Sequence, residues 1–163
     1  YLEDIAQSLV SPKRWKHVKA MTELALDLAS AHNLDHHSVL IAALFHDCAK
    51  EWTFETSQTW LKVVNPKYLQ SHPALWHQKL GAYWLSTQFK RVNPKVLKAM
   101  AHHVEGLDLD PITQVIYIAD KCDKTRAYDA SFFIQLAYQD LKKGYEAVLQ
   151  HQLEYRKQEK LNA

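Results

Sequence analysis

The sequence is poor in residues that break helices, with three glycines and five prolines among 163 residues. All-β folds need many tight turns, and this composition does not supply them. The chain also lacks a run of about 18 apolar residues that could span a bilayer, and its first residues lack the basic-then-apolar pattern of a signal peptide. We therefore expect an all-α protein that has no membrane as a partner.

The sequence also has few cysteines and no large excess of positive or negative charge. Cys48 and Cys122 are the two cysteines, and 20 Lys and Arg residues are dispersed among 18 Asp and Glu residues. The few cysteines predict a reducing, cytoplasmic setting, and the absence of a basic stripe argues against nucleic acid as a partner. A chain of this length should bury roughly 70% of its unfolded surface in one domain over residues 1–163 without a structural metal. Any bound metal would therefore serve function.

Capping residues and a 3.6-residue apolar period predict a bundle of about seven helices. The first expected helix covers about 12–32 after the cap Ser11, the second runs from Asp35 to near Lys50, and the third runs from Thr53 or Glu55 to about Val63. Three more begin around Pro73, at Asn93-Pro94 and at Asp110-Pro111. The seventh begins at Ser131 and continues through Leu149. The last dozen residues are polar, and we expect them to fray.

Histidine is abundant, with ten copies, and several lie on the apolar faces of these helices. His or Asp shares a face with apolar residues on five helices, and these inward-facing residues are His17, His46 with Asp47, His77, His103 and Asp120. Each one alone is readily explained as a hydrogen-bonded core residue. Together they would leave two carboxylates in an apolar core, which costs several kcal/mol each unless cations compensate them. The pattern thus predicts a metal cluster.

The donor set indicates which metals the cluster would bind. Imidazole with carboxylate suits Fe, Mn, Co, Ni or Zn, whereas Ca and Mg prefer oxygen ligands. Six protein ligands exceed what one catalytic ion needs, so we expect two divalent ions about 3.5 to 4 Å apart. Asp47 would bridge both ions, since His46-Asp47 is expected near a helix end, where adjacent residues can reach one site.

Five short motifs resemble a known family in their order along the chain. They are Arg14-Trp15-Lys16-His17, Phe45-His46-Asp47-Cys48-Ala49-Lys50, His77-Gln78-Lys79-Leu80-Gly81-Ala82, His103-Val104-Glu105-Gly106, and Tyr117-Ile118-Ala119-Asp120 with Asp123 and Arg126. This set resembles the HD-domain metal-dependent phosphohydrolases, and within them the YqeK-like diadenosine tetraphosphate hydrolases. The resemblance covers about residues 14 to 126.

The resemblance implies an all-helical fold, a two-metal centre of iron type held by the six positions, and symmetrical cleavage of diadenosine tetraphosphate to two ADP. Val104-Glu105 stands where the family usually has two threonines. An acidic side chain there would repel a phosphate unless it turns away or meets a cation. Some members of the family are fused behind a nicotinate-nucleotide adenylyltransferase, and the start at Tyr1 instead of Met agrees with such a fragment. A fused nucleotidyltransferase domain and a homodimer stay open.

The expected chemistry is in-line attack on phosphorus by a metal-activated hydroxide, which Asp47 would help to orient. Lys50 is a candidate phosphate contact, although a cation also suits the carboxyl end of a helix. Arg14 and Arg126 are candidates for bidentate phosphate contacts, or each could equally pair with a carboxylate such as Asp123.

Three other functions remain open from the sequence. One is an HD phosphohydrolase that acts on a nucleoside mono-, di- or triphosphate or on a signalling nucleotide. Another is a non-catalytic nucleotide or metal sensor, against which the six intact ligand positions argue. The third is a helical adaptor with buried histidines, which would hold no iron, manganese or zinc after purification without chelators.

Overall fold

A computed structural model describes residues 1–162, and within them the secondary structure is helical throughout. The nine α-helices are α1 (Leu2–Ser8), α2 (Pro12–Ala31), α3 (His36–Phe45), α4 (Phe54–Val64), α5 (Trp76–Gln88), α6 (Pro94–Ala101), α7 (Pro111–Cys122), α8 (Ser131–Gln139) and α9 (Leu141–Asn162). Two 3₁₀ turns, Pro66–Gln70 and Pro73–Leu75, lie between α4 and α5. The all-α prediction is confirmed.

Five of the predicted helix starts carry the caps that the sequence indicates. The side chains that accept a hydrogen bond from a backbone N–H of the first turn are Ser11, Asp35, Thr53, Asn93 and Asp110. Each satisfies one of the amide groups that have no partner inside the helix. The local sequence therefore sets where α2, α3, α4, α6 and α7 begin.

The predicted helix boundaries differ from the structure at four places. Helix α1 was not expected, and α3 ends at Phe45 instead of near Lys50. The single helix predicted from Ser131 through Leu149 is wrong, because the chain becomes extended at Asp140 and starts α9, with the Asp140 side chain accepting from the Lys143 amide. The expected fraying is also not seen, since α9 continues to Asn162.

Helix α7 forms the centre of the bundle. It packs against α2, α3, α6, α8 and α9, and its residues from Val115 to Ala119 are all fully buried. A smaller apolar cluster, consisting of Ala49, Leu61, Trp76 and Leu80, lies between α4 and α5. No helix within the described residues is both long enough and apolar enough to cross a bilayer.

The hairpin of α8 and α9 depends on a glycine at the contact between the two helices. A Cβ atom on Gly144 would lie 2.6 Å from the Cα atom of Ala137, which is backbone of α8 and cannot rotate away. We expect Gly144→Ala to lower the free energy of unfolding by about 1 kcal/mol, because overpacking costs about 2 kcal/mol and exceeds the gain in helix propensity of roughly 1 kcal/mol. A thermal melt measures this change, and an unchanged melting temperature would contradict the close packing of α8 on α9.

Candidate metal centre

The six predicted ligands come together at one end of the bundle. His46 and Asp47 directly follow the carboxyl end of α3, His103 follows that of α6, and Asp120 lies in the last turn of α7. His17 lies in α2 and His77 in the first turn of α5. All six side chains are buried. The ends of α3, α6 and α7, together with α2 and α5, thus enclose one cluster of imidazoles and carboxylates.

The Asp47 carboxylate lies at the centre of this cluster. Its Oδ2 atom is 3.8 Å from Nε2 of His17 and 3.4 Å from Nε2 of His46. Its Oδ1 atom is 3.5 Å from Nε2 of His77 and 3.4 Å from Nε2 of His103. The two oxygens therefore face two different pairs of histidines, as a carboxylate that bridges two ions must.

Asp120 belongs to one side of the cluster. Its Oδ1 atom is 2.9 Å from Nε2 of His17 and 3.4 Å from Nε2 of His46. The ligand atoms fall into two sets in which every pair lies within 4.8 Å, namely His17, His46, Asp47 and Asp120, and Asp47, His77 and His103. The arrangement offers two adjacent cation sites that share Asp47.

The orientation of the histidines prepares their Nε2 atoms for a cation. Nδ1 of His46 is 2.7 Å from the Ala43 carbonyl oxygen, and Nδ1 of His103 is 2.7 Å from that of Met100. A carbonyl only accepts, so each Nδ1 carries a proton and each neutral ring has its lone pair on Nε2. Nε2 of His46 is buried and has no hydrogen-bond partner in residues 1–162. This atom fits a metal ligand.

The pKa values show how strongly the cluster requires positive charge. Burial disfavours charge on His46, but the charges and hydrogen bonds of Asp47 and Asp120 together outweigh burial and raise the pKa of His46 to about 10. Burial likewise opposes ionisation of Asp47 and Asp120. The histidines around Asp47, and Lys121 with His17 and His46 around Asp120, together hold the pKa of each carboxyl well below its usual range. Burial lowers the pKa of His103 to about 4. The two buried carboxylates thus favour positive charge beside them.

Arg14 and Arg126 both pair with carboxylates of the cluster. Nη1 of Arg14 lies 3.2 Å from Asp47 Oδ2. Nη2 of Arg126 lies 3.2 Å from Asp120 Oδ1, and its Nε atom lies 3.4 Å from Asp123 Oδ2. Both side chains keep about a third of their surface exposed, so an anion from solution can also reach them. Lys50 is exposed and lies in a cleft that His77 also lines.

Lys121 is a residue of this centre that the sequence reasoning missed. Its Nζ atom donates to Asp120 Oδ2 at 2.7 Å and to the His103 carbonyl at 2.7 Å, and the side chain is buried. It links the end of α7 to the turn after α6. The signal in the sequence is a lysine next to Asp120 in an otherwise apolar stretch of helix, where a buried charge needs a partner.

Glu105 does not face a phosphate site as an unpaired charge. Its Oε1 atom accepts from Gln78 Nε2 at 2.8 Å and from the Tyr68 hydroxyl at 3.3 Å, while Gln78 Oε1 accepts from the Val104 amide at 3.1 Å. These hydrogen bonds join α5 to the turn that contains His103. Asp123 also has a positioning contact, with Oδ2 3.0 Å from Nδ1 of His17. Neither network follows from helix periodicity, because each joins distant parts of the chain.

Comparison with known proteins places these residues in a family context. The model of the HD domain family matches residues 14–125. A crystal structure described as a predicted HD superfamily hydrolase involved in NAD metabolism from Clostridium acetobutylicum is similar, with a TM-score of 0.81 and 23% identity, over 94% of this chain and 84% of the other. At that identity the likeness concerns the fold.

Two curated relatives are similar in sequence. A probable nicotinate-nucleotide adenylyltransferase/Ap4A hydrolase of Mycoplasma pneumoniae is 30% identical over 159 residues, which cover 93% of this chain and 46% of the relative. A symmetrical bis(5'-nucleosyl)-tetraphosphatase of Bacillus subtilis is 31% identical over 118 residues, which cover 71% of this chain and 63% of the relative. The chain spans less than two thirds of the length of either protein.

Proposed function

This chain belongs to the HD domain family, and on that premise we propose that it hydrolyses dinucleoside polyphosphates at a two-metal centre and cleaves diadenosine tetraphosphate symmetrically into two ADP. The observation that carries the proposal is the position of Asp47, whose two oxygens each face a separate pair of Nε2 atoms. The names of the curated relatives support the choice of substrate.

The residues divide between the two ions in the proposed centre. One ion would be held by His17, His46 and Asp120, the other by His77 and His103, and Asp47 would bridge them. Nitrogen and carboxylate donors suit Fe, which we propose as the metal, and also Mn, Co, Ni or Zn. When bound, such ions lower the pKa of water and neutralise charge on phosphoryl oxygens.

The protein itself supplies orientation and further positive charge. The second nitrogens of His46 and His103 are held by backbone carbonyls, which fixes the orientation of these two rings, and Nδ1 of His17 lies 3.0 Å from Asp123 Oδ2. Arg14 beside Asp47 and Arg126 beside Asp120 are partly exposed and would bind the phosphate oxygens. Lys50 would add a point charge at the rim. We propose Asp47 and Lys50 as the catalytic residues in contact with water and substrate.

The length comparison suggests a further partner. The Mycoplasma pneumoniae relative combines an adenylyltransferase name with an Ap4A hydrolase name, and this chain matches 46% of it. We propose that a chain of the present kind can serve as the hydrolase part of such a bifunctional protein. The HD domain we propose covers residues 1–163, and a nucleotide is its small-molecule substrate.

A product analysis tests the proposed function. Protein loaded with iron under anaerobic conditions is incubated with diadenosine tetraphosphate, and the nucleotides are separated by chromatography. We expect ADP as the only product. Equal amounts of ATP and AMP would overturn symmetrical cleavage, and an absence of products from protein that still holds two metal ions would overturn the substrate.

A further inference from the structure

A cleft of about 350 Å³ lies between α9 and the segment that follows α7. Lys121, Arg126 and Tyr128 line it together with His151 and Tyr155 of α9, and the rings of Tyr128 and His151 pack on each other with centroids 5.1 Å apart. The α9 side lies beyond residues 14–125, which match the family model.

The cleft adjoins the metal centre through Asp120. Nζ of Lys121 lies 2.7 Å from Asp120 Oδ2, and Nη2 of Arg126 lies 3.2 Å from Asp120 Oδ1. A phosphate chain at the centre would therefore lead directly into the cleft past the Arg126 guanidinium. A cationic entrance followed by aromatic walls is the combination that nucleotides require, since phosphates bind to cations and bases stack on rings.

Helix α9 extends beyond the core on the side of this cleft. His151, Gln152, Tyr155 and Arg156 share one face of the helix because they are spaced by one, three and one residues. Arg156 Nη2 lies 3.4 Å from the carbonyl oxygen of Val104, which follows His103. This contact links α9 to the turn after His103, while the Tyr155 side chain stays 57% exposed and accessible to a base.

A second cleft of about 270 Å³ adjoins the other half of the centre. Lys50, Trp52, Phe54 and Trp76 line it together with His77, whose Nε2 atom faces Asp47 Oδ1. This second cleft therefore combines a cation with aromatic rings, as the α9 cleft does. A third cleft, near Asp123, has Glu23, Asp27 and Asp129 in its wall besides Lys124 and Arg126, so acidic groups outnumber basic groups there and disfavour a polyphosphate.

We propose that the two aromatic clefts each bind one adenosine of diadenosine tetraphosphate, and that Tyr155 is a specificity-determining residue that stacks on the base in the α9 cleft. This inference rests on the proposed function. A symmetrical substrate that is cut at its middle needs a base site on each side of the metal centre, and the two clefts adjoin different halves of it. Helix α9 thus selects for a substrate with a second nucleoside.

The test compares two substrates in one protein. Adenosine 5'-tetraphosphate carries the same four phosphates as diadenosine tetraphosphate but has one adenosine. In the unaltered protein we expect its KM to be about tenfold higher, as the loss of one stacked base predicts. In Tyr155→Ala this ratio of KM values should fall to about one, with kcat on either substrate nearly unchanged, because a one-base substrate can still use the cleft beside His77.

Matched variants separate stacking from general effects on the fold. Tyr138→Ala removes another half-exposed tyrosine, from α8, and should keep the ratio near ten, while Tyr155→Phe should restore it. A ratio in Tyr155→Ala equal to that of the unaltered protein would overturn the inference and leave the hydrolase function intact.

A binding measurement gives a readout that does not depend on turnover. Calorimetric titration of the metal-loaded protein with ADP should show two molecules bound per chain, and one in Tyr155→Ala. If diadenosine tetraphosphate is not cleaved but two ADP bind, the proposed function fails while the two clefts stand. One ADP per chain in both proteins would overturn the second base site.

Discussion

Asp47→Asn should abolish hydrolysis and remove metal from both sites, because Asp47 is the one carboxylate that faces all four histidines of the cluster. The amide keeps the size of the side chain but loses the negative charge and one of the two acceptor oxygens. Metal ions contribute several kcal/mol of transition-state stabilisation, so we expect kcat/KM to fall by about a thousandfold or more. Product chromatography and elemental analysis of the same samples measure both effects.

The control for this variant is Asp27→Asn, which makes the same chemical change on the exposed face of α2. It should leave both activity and metal content unchanged. If Asp47→Asn still held two metal ions and kept more than a tenth of the activity, Asp47 would not be the bridging ligand.

Lys121→Met should make the stability of the protein depend strongly on bound metal. The ammonium group lies 2.7 Å from Asp120 Oδ2 and is buried with it. Removal of one member of a buried ion pair costs about 3–5 kcal/mol, and this cost applies to the metal-free protein. A metal ion would compensate Asp120 instead, so the loss in the metal-loaded protein should be much smaller. Denaturant unfolding with and without metal measures the difference.

Lys124→Met is the matched control, because Lys124 forms an ion pair with Glu23 in which both side chains are largely exposed. Such pairs contribute at most about 1 kcal/mol. The metal-free and metal-loaded forms of Lys124→Met should therefore have nearly the same free energy of unfolding as the corresponding forms of the unaltered protein. An equal loss of stability in the metal-free and metal-loaded forms of Lys121→Met would contradict the charge argument. It would assign Lys121 to the support of the His103 carbonyl alone.

The helix starts could be predicted because their signals are local. A capping side chain reaches an amide group two or three residues further along the chain, so Ser11, Asp35, Thr53, Asn93 and Asp110 act without help from distant residues. The break between α8 and α9 has the same kind of signal, since the Asp140 side chain caps α9. The helical spacing of apolar residues continues across this break, however, and therefore predicts a single helix. The close approach of Gly144 to Ala137, which lets the chain fold back there, is a tertiary contact.

The residues of the centre were predictable for a different reason. A histidine or aspartate on the apolar face of a helix must find a partner when it is buried, and five helices with such residues indicate a common site. The sequence could not show that Asp47 directs one oxygen to each pair of histidines, or that Arg126 bonds Asp120 as well as Asp123. Those are relations between side chains on different helices.

The sequence by itself determined the all-α class, the start of most helices and the identity of the six residues that meet at the centre, since each has a signal in the residues close to it along the chain. Only the tertiary structure decided which atoms face one another, that Lys121 and Glu105 have partners, and that α9 forms a wall of a second cleft. The reason is that these contacts join residues far apart along the chain, such as His17 and Asp120, which are 103 positions apart. Their geometry depends on how the helices pack, which local periodicity does not encode.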